Sequence, residues 1–197
     1  MRYEKGRRDA SRERILQAAS ERFRADGIAA SGLSRVMKDA GLTNGAFYPH
    51  FQSKTELVRE SLLTALDAQA DQMRRILATE GLDGLIAAYL SPEHRDNPRA
   101  GCATAALAAE IAREPPETRT AYTERLATLA REVAAYIPPQ ATDPEAAAVA
   151  LLATFVGTLQ LARAADSAEM SDRILAAGRE AARTLSRTSA PSAPQAR

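Results

Sequence analysis

The chain has 197 residues, of which 45% are apolar and 26% charged, a composition typical of a soluble protein with one large or two small domains. Its net charge of +1 is unevenly distributed, because residues 1–60 carry twelve Lys and Arg against eight Asp and Glu, whereas residues 61–197 carry fourteen against seventeen. A basic first third predicts that only the N-terminal part meets a polyanion, and the acidic remainder argues against an architectural DNA-binding protein.

Three sequence features bear on the protein's location. The single cysteine, Cys102, cannot form an intramolecular disulfide, and the charged N-terminal segment lacks the apolar run of a signal peptide. The most apolar stretch, residues 146–165, contains Thr154, Gln160 and Arg163, which favours a buried helix over a membrane span. We therefore expect a cytoplasmic protein with no membrane partner.

Apolar spacing along the chain predicts an all-α fold of about nine helices. A helix over residues 9–26 stops at Gly27, a short one over 33–40 stops at Gly41, and the capping box Ser53–Glu56 opens a long helix that ends near residue 79. Further helices are predicted after proline-bearing or polar breaks, at residues 82–90, 101–113, 117–137, 143–165 and 171–186.

Residues 41–51, "GLTNGAFYPHF", hold three of the nine Phe and Tyr residues of the chain. Two short helices joined by a glycine turn predict a helix-turn-helix unit, in which Phe47 and Phe51 face the core. Tyr48 and His50 then lie on the outer side with other hydrogen-bond donors that suit phosphate oxygens, namely Thr43, Asn44 and Lys54. Pro49 lacks an N–H and disfavours helix before it, so the second short helix is expected to end or bend early.

Residues 32–62, "GLSRVMKDAGLTNGAFYPHFQSKTELVRESL", resemble the DNA-binding signature of the tetracycline-repressor (TetR) family. The resemblance implies a homodimeric transcription factor, usually a repressor, whose C-terminal helical domain binds a small-molecule effector and then releases double-stranded operator DNA. It also implies phosphate contacts from Thr43, Tyr48, His50 and Lys54, and an approach to the bases by Asn44, Gly45 and Ala46. Asn44 departs from the family pattern, because a lysine is frequent there.

The basic residues before the helix-turn-helix have two open interpretations. Arg7 and Arg8 can reach the minor groove or the DNA backbone as basic arms do, or they can form a solvated tail. Together these features predict a DNA-binding domain over residues 1–52, an effector-binding and dimerisation domain over 53–187, and a disordered tail over 188–197.

The effector and dimer sites are predicted within the second of these domains. The cavity is expected among the middle helices, near Met73, Tyr89, Cys102, Leu107, Tyr122, Leu126 and Phe155. The last two helices are alanine-rich and broadly apolar, which favours burial against a second copy of the chain. By resemblance to the family, they pair as a four-helix bundle, with contacts predicted at Leu152, Leu159, Ile174 and Leu175.

Cys102 leaves one functional alternative open. It follows Gly101 at the start of a predicted helix, where the helix end stabilises a thiolate, so the chain could instead be a repressor that senses oxidants or electrophiles. The alternative is a small buried apolar cysteine beside alanines. An enzyme is disfavoured, because His94 and Cys102 lack an evident oxyanion site, and one cysteine and two histidines make a zinc site unexpected. No cofactor is predicted.

Overall fold

The computed structural model describes residues 2–138 and 143–187, without the side chains of residues 2–5 and Arg7. This part of the chain contains no strand, which confirms the predicted all-α class. Its elements are α1 (Arg2–Asp26), α2 (Leu33–Asp39), a 3-10 helix (Asn44–Ala46), α3 (Lys54–Tyr89), α4 (Pro92–Asp96), α5 (Ala103–Ile111), α6 (Pro116–Ala134), α7 (Pro144–Ala164) and α8 (Ala168–Arg187). The predicted tail, residues 188–197, lies outside the described residues.

Several helices begin and end where the sequence predicts. Gly27 and Gly41 have φ of 84° and 68°, a conformation that favours glycine, and they follow α1 and α2. At the start of α3, the Glu56 N–H donates to Ser53 Oγ at 3.1 Å, while the Glu56 carboxylate accepts from the Gln52 N–H at 2.6 Å. This reciprocal pair is the predicted capping box, with the return bond one residue earlier than its usual position.

A break inside α3 occurs at Gly81, whose φ of 67° and ψ of −163° are not helical. The sequence predicts separate helices ending near residue 79 and starting at residue 82, so the break confirms that boundary. Only glycine adopts such a conformation without strain.

Packing divides the chain into two compact units, which are described separately. Of the described residues, the first unit comprises those up to residue 69 and those of 97–125, and the second comprises those of 70–96 and those from residue 126 onward. The first unit therefore combines the helix-turn-helix with the start of α3, with α5 and with part of α6. These units follow packing and leave the functional boundary predicted at residue 52 untested.

The core of the first unit is built around the helix-turn-helix. Phe23, Phe47, Phe51 and Leu57 are buried there together with Leu107 from α5. Burial of a large apolar side chain contributes about 1.5–3 kcal/mol relative to exposure, so these rings hold the short helices in place. The core thus explains how α2, only seven residues long, keeps its position.

The second unit is dominated by the contact between α7 and α8. Gly178 allows a close approach, because a Cβ there would lie 2.3 Å from Thr158 Cγ2. Among the described helices, α7 alone has the length and apolar composition of a membrane span, yet Leu151, Phe155 and Leu159 are buried within this unit. The Tyr89 ring stacks on Phe155 with ring centroids 4.6 Å apart.

Candidate DNA-binding interface

Residues 43–50, here called the reading turn, form a tight turn instead of a regular helix. The Ala46 N–H donates to the Thr43 carbonyl at 3.0 Å and the Phe47 N–H donates to the Asn44 carbonyl at 3.2 Å, which is the 3-10 pattern. The His50 N–H then donates to the Phe47 carbonyl at 2.9 Å. Pro49 has no N–H to continue a helical ladder, so the predicted early end of the second short helix is confirmed.

The reading turn separates buried rings from an exposed one. Phe47 and Phe51 are each 1% exposed and their rings stack with centroids 5.5 Å apart, which confirms their predicted core positions. Tyr48 is 72% exposed and meets Phe47 edge-on at 5.4 Å. The Tyr48 phenol is therefore exposed, while the ring that carries it contacts the buried Phe47 ring.

Thr43, Asn44 and Gly45, which precede Phe47, are also exposed. Ala46 is half-buried and packs against the core of the first unit, so its approach to the bases stays a prediction. A Cβ added at Gly45 would meet nothing within 4 Å, so this face of the turn is open. Hydroxyl and amide groups on an open, rigid turn can donate to phosphates and to base edges.

The N-terminal part of α1 supports the reading turn. The Arg8 guanidinium donates to the Pro49 carbonyl at 2.6 Å. Arg12 lies over the Phe51 ring, with 5.0 Å between the guanidinium carbon and the ring centroid, and pairs with the Glu60 carboxylate. Of the two predicted arm residues, Arg8 thus contacts the turn, whereas the Arg7 side chain lies outside the described ones.

His50 is half-buried, and the charges of Arg8 and Arg12 act on it. Its Nδ1 has no hydrogen-bond partner among the described residues. Burial, and then the charges of Arg8 and Arg12, hold the pKa of His50 below its ordinary value of 6.5. The neutral imidazole is therefore the main form at pH 7 in the protein without DNA.

Lys54 has a contact that the sequence did not predict. Its half-buried ammonium donates to the Ile28 carbonyl at 2.9 Å, in the loop between α1 and α2. The same side chain was predicted to meet phosphate. In this conformation the ammonium instead connects the start of α3 to that loop.

Three exposed side chains on α2 were missed by the sequence analysis, namely Ser34, Arg35 and Lys38. They alternate with the buried Val36 and Met37, so the polar face of this short helix was the available signal. The first helix of a helix-turn-helix crosses the DNA backbone, which makes these residues candidates for phosphate contacts. By contrast, Arg22 is paired with Asp26 and Asp39.

The predicted effector residues fall into two separate groups. Met73, Tyr89 and Phe155 are buried in the second unit, which also contains the half-buried Leu126. Cys102 and Leu107 are buried in the first unit, where Tyr122 packs against its core. Burial raises the pKa of Tyr122, and a hydrogen bond with Thr104 opposes that effect.

Three of the four predicted dimer residues lie inside the second unit. Leu152, Leu159 and Leu175 are buried, and Ile174 is half-buried. These leucines pack within their own chain, and the predicted dimer contact stays a prediction. The large apolar side chains that α7 and α8 leave exposed are Val149, Leu161 and Met170.

Cys102 is buried and caps α5. Its Sγ accepts a hydrogen bond from the Ala105 N–H at 3.3 Å, and the residue is 3% exposed. This position satisfies one of the N–H groups that a helix start leaves unpaired. No group of three metal-ligating side chains occurs in the part of the chain that the structure describes.

Comparisons with known proteins place this geometry in a family. Residues 15–61 match the family model described as bacterial regulatory proteins, tetR family. The repressor KstR2 of Mycolicibacterium smegmatis is 34% identical over 90 residues, which are 43% of this chain and 44% of that protein. The regulator TtgR of Pseudomonas putida is 37% identical over 70 residues, 36% of this chain and 33% of that protein. The matched segments therefore span less than half of these relatives.

Solved structures share the fold over most of the chain. The reduced form of Escherichia coli NemR superposes with a TM-score of 0.67 at 24% identity, covering 86% of this chain and 95% of that one. A TetR-family regulator from Cytophaga hutchinsonii gives a TM-score of 0.74 at 16% identity, covering 90% and 95%. At these identities the likeness shows the fold alone.

The segment that matches the family model includes the reading turn and its two buried rings. The family is one of transcriptional regulators and its members are not enzymes. By its N-terminal signature, this chain carries the DNA-binding segment of the TetR family at residues 15–61, within a helical fold that solved TetR-family regulators share.

Proposed function

We propose that this chain is a cytoplasmic repressor that binds a palindromic operator as a homodimer and releases it when a small molecule binds. The observation that carries the proposal is the reading turn, in which an exposed Tyr48 and Asn44 are fixed on the buried Phe47 and Phe51. A rigid turn with outward donors loses little conformational entropy when it meets DNA. The name of KstR2 as a repressor supports the direction of regulation.

The reading turn suggests a division of roles among its side chains. The Thr43 hydroxyl and the Tyr48 phenol can donate to phosphate oxygens, which position the protein without reading sequence. The Asn44 amide can both donate and accept, which suits the N6 and N7 edge of adenine in the major groove. Gly45 has no side chain, so the backbone of the turn can approach the base pairs closely.

The effector is proposed to bind in the helical part of the chain. Bacillus subtilis FadR, which shares the fold with a TM-score of 0.64 at 16% identity, was solved in complex with stearoyl-CoA. That precedent supports a small-molecule site in a fold of this kind and leaves the identity of the ligand here open. The stacked pair Tyr89 and Phe155 remains our candidate for one wall of the site in the second unit.

A thiol-based sensor is the competing proposal. The placement of Cys102 disfavours it, because the sulfur caps α5 and the residue is nearly inaccessible. An ordinary non-covalent effector therefore fits the observations better.

Selection of binding sites from a random DNA pool tests the proposed function. We expect a palindrome whose half-site centres lie about 34–36 Å apart or a multiple of that distance. Affinity should fall steeply with salt, because each neutralised phosphate releases condensed counterions. Recovery of no palindrome, or binding that does not depend on salt, contradicts the proposal.

Two variants separate the roles within the reading turn. Tyr48→Phe removes one donor to a charged oxygen and should weaken every sequence alike, by about tenfold. Asn44→Ala should instead change which half-site is preferred. Selection of the parent's site by Asn44→Ala would show that Asn44 does not read bases.

A further inference from the structure

The loop between α1 and α2 is held by side chains from two other helices. The Ala29 N–H donates to Glu110 Oε2 on α5 at 2.9 Å. The Ile28 carbonyl accepts from Lys54 Nζ at 2.9 Å. Ser31 Oγ donates to the Gly27 carbonyl at 2.6 Å, so the loop's own contacts are local while its external ones come from α5 and α3.

The Glu110 carboxylate also lies directly against Gly27. A Cβ at residue 27 would be 2.8 Å from Glu110 Oε1, a distance that real Cβ atoms do not show. Glycine there serves two needs, because its φ is 84° and because its missing side chain leaves room for the carboxylate. Below this contact, Ile28 is buried in one core with Leu107 and Ile111 of α5.

Two other charged side chains lie close to Glu110. Burial, followed by the negative charge of Glu110, raises the pKa of the nearby Glu114, while the charge of Lys54 opposes that effect. Glu110, Glu114 and Lys54 therefore form one small cluster of charges beside the loop. A hydrogen bond from a backbone N–H to a carboxylate is stronger than one to a neutral acceptor.

The loop is connected to the reading turn through α2. It leads directly into α2, whose C-terminal end passes through Gly41 into the reading turn. The Leu42 N–H donates to the Met37 carbonyl at 2.9 Å, which continues the connection from α2 to the turn. We therefore expect a displacement of Ala29 to reach Thr43 through this short segment.

We propose that Glu110 is a positioning residue for operator binding, and that α5 sets the position of the reading turn through its carboxylate. This inference rests on the proposed DNA-binding function. Glu110 touches no part of the reading turn itself, so its removal should change affinity without changing the preferred sequence. It adds no positive charge, so the salt dependence of binding should also stay the same.

Three substitutions at Glu110 test this inference on the full-length protein. Glu110→Ala should weaken operator affinity by about tenfold or more, since a bond to a charged acceptor is lost. Glu110→Gln retains an oxygen acceptor at the same reach without the charge, so its loss of affinity should be smaller than that of the alanine variant. Glu110→Asp keeps the charge with a shorter reach and should behave like the alanine variant. Glu124→Ala removes an exposed carboxylate elsewhere in the first unit and serves as the matched control.

Two further measurements separate positioning from a loss of folding. Stoichiometric titration with operator gives the competent fraction, which should be the same in all variants while the dissociation constant changes. Amide hydrogen exchange at Ala29 should accelerate in Glu110→Ala and not in Glu124→Ala. An unchanged dissociation constant for both Glu110→Ala and Glu110→Asp, or a loss seen only in the competent fraction, would overturn the inference. Failure of the parent to bind any operator would overturn the proposed function instead, and the inference with it.

Discussion

Leu159 and Leu161 lie two residues apart on α7 and should respond oppositely to substitution. Leu159 is 0% exposed and Leu161 is 63% exposed. Leu159→Ala removes buried methyl groups and leaves a cavity, at a cost of about 2–5 kcal/mol in the free energy of unfolding. Leu161→Ala should change the stability of an isolated subunit by no more than about 0.5 kcal/mol.

The same pair tests the dimer surface. If Leu161 packs against a second subunit, Leu161→Glu places an unpaired carboxylate in that contact and should yield monomers. Leu159→Glu should instead unfold the subunit, because the charge would enter its own core.

Urea unfolding at two protein concentrations separates these effects. For a dimer that unfolds to monomers, tenfold dilution lowers the apparent stability by about 1.4 kcal/mol. The parent and Leu159→Ala should show this dependence, whereas Leu161→Glu should lose it and sediment as a monomer. A dimeric Leu161→Glu would place the interface elsewhere, and a Leu159→Ala variant as stable as the parent would refute the burial argument.

Three further predictions concern single positions. Burial, and then repulsion from Arg163, hold the pKa of His94 below 6.5, although a hydrogen bond to the Tyr89 carbonyl opposes this. Below about pH 6.5 the unfolded chain therefore takes up more protons than the folded one, so the stability should fall as the pH drops. Denaturant titrations at pH 7.5 and 5 should show that fall and a smaller one for His94→Gln; equal falls would contradict it. Gly81→Ala should cost about 1–3 kcal/mol, because alanine is strained at φ 67° and ψ −163°, and an unshifted denaturation midpoint would refute this. Cys102→Ser keeps an acceptor at the cap of α5. In an operator-release assay with oxidants and quinones, this variant should behave as the parent does. A response of the parent that the serine variant lacks would identify the thiol as the sensor.

Local signals in the sequence were sufficient for the helices and for the two faces of the reading turn. Glycines with positive φ, the capping box at Ser53 and the lack of an N–H at Pro49 act within a few residues. Such features are fixed by the backbone of their own segment, so the sequence predicts them directly. The burial of Phe47 was likewise predicted from local sequence features, namely its spacing from Gly41.

Contacts between distant segments were not predictable in this way. Glu110 and Ala29 are 81 residues apart, and nothing in either segment indicates the other. Lys54 fits the pattern of a phosphate ligand, yet its ammonium binds a carbonyl that tertiary structure brings near. On α7, apolar residues occur on most faces of the helix, so their periodicity could not show that Leu159 is buried and Leu161 exposed.

The hydrogen bond from Arg8 to the Pro49 carbonyl has a consequence for how relatives are compared. The segment that matches the family model covers residues 15–61 and so begins after Arg8, although this side chain bonds the end of the turn that we propose meets DNA. Two regulators with identical signatures can therefore differ in operator strength through residues that an alignment of the signature omits. A truncation that removes Arg8 takes this support away, so variants should keep this residue when operator affinities are compared.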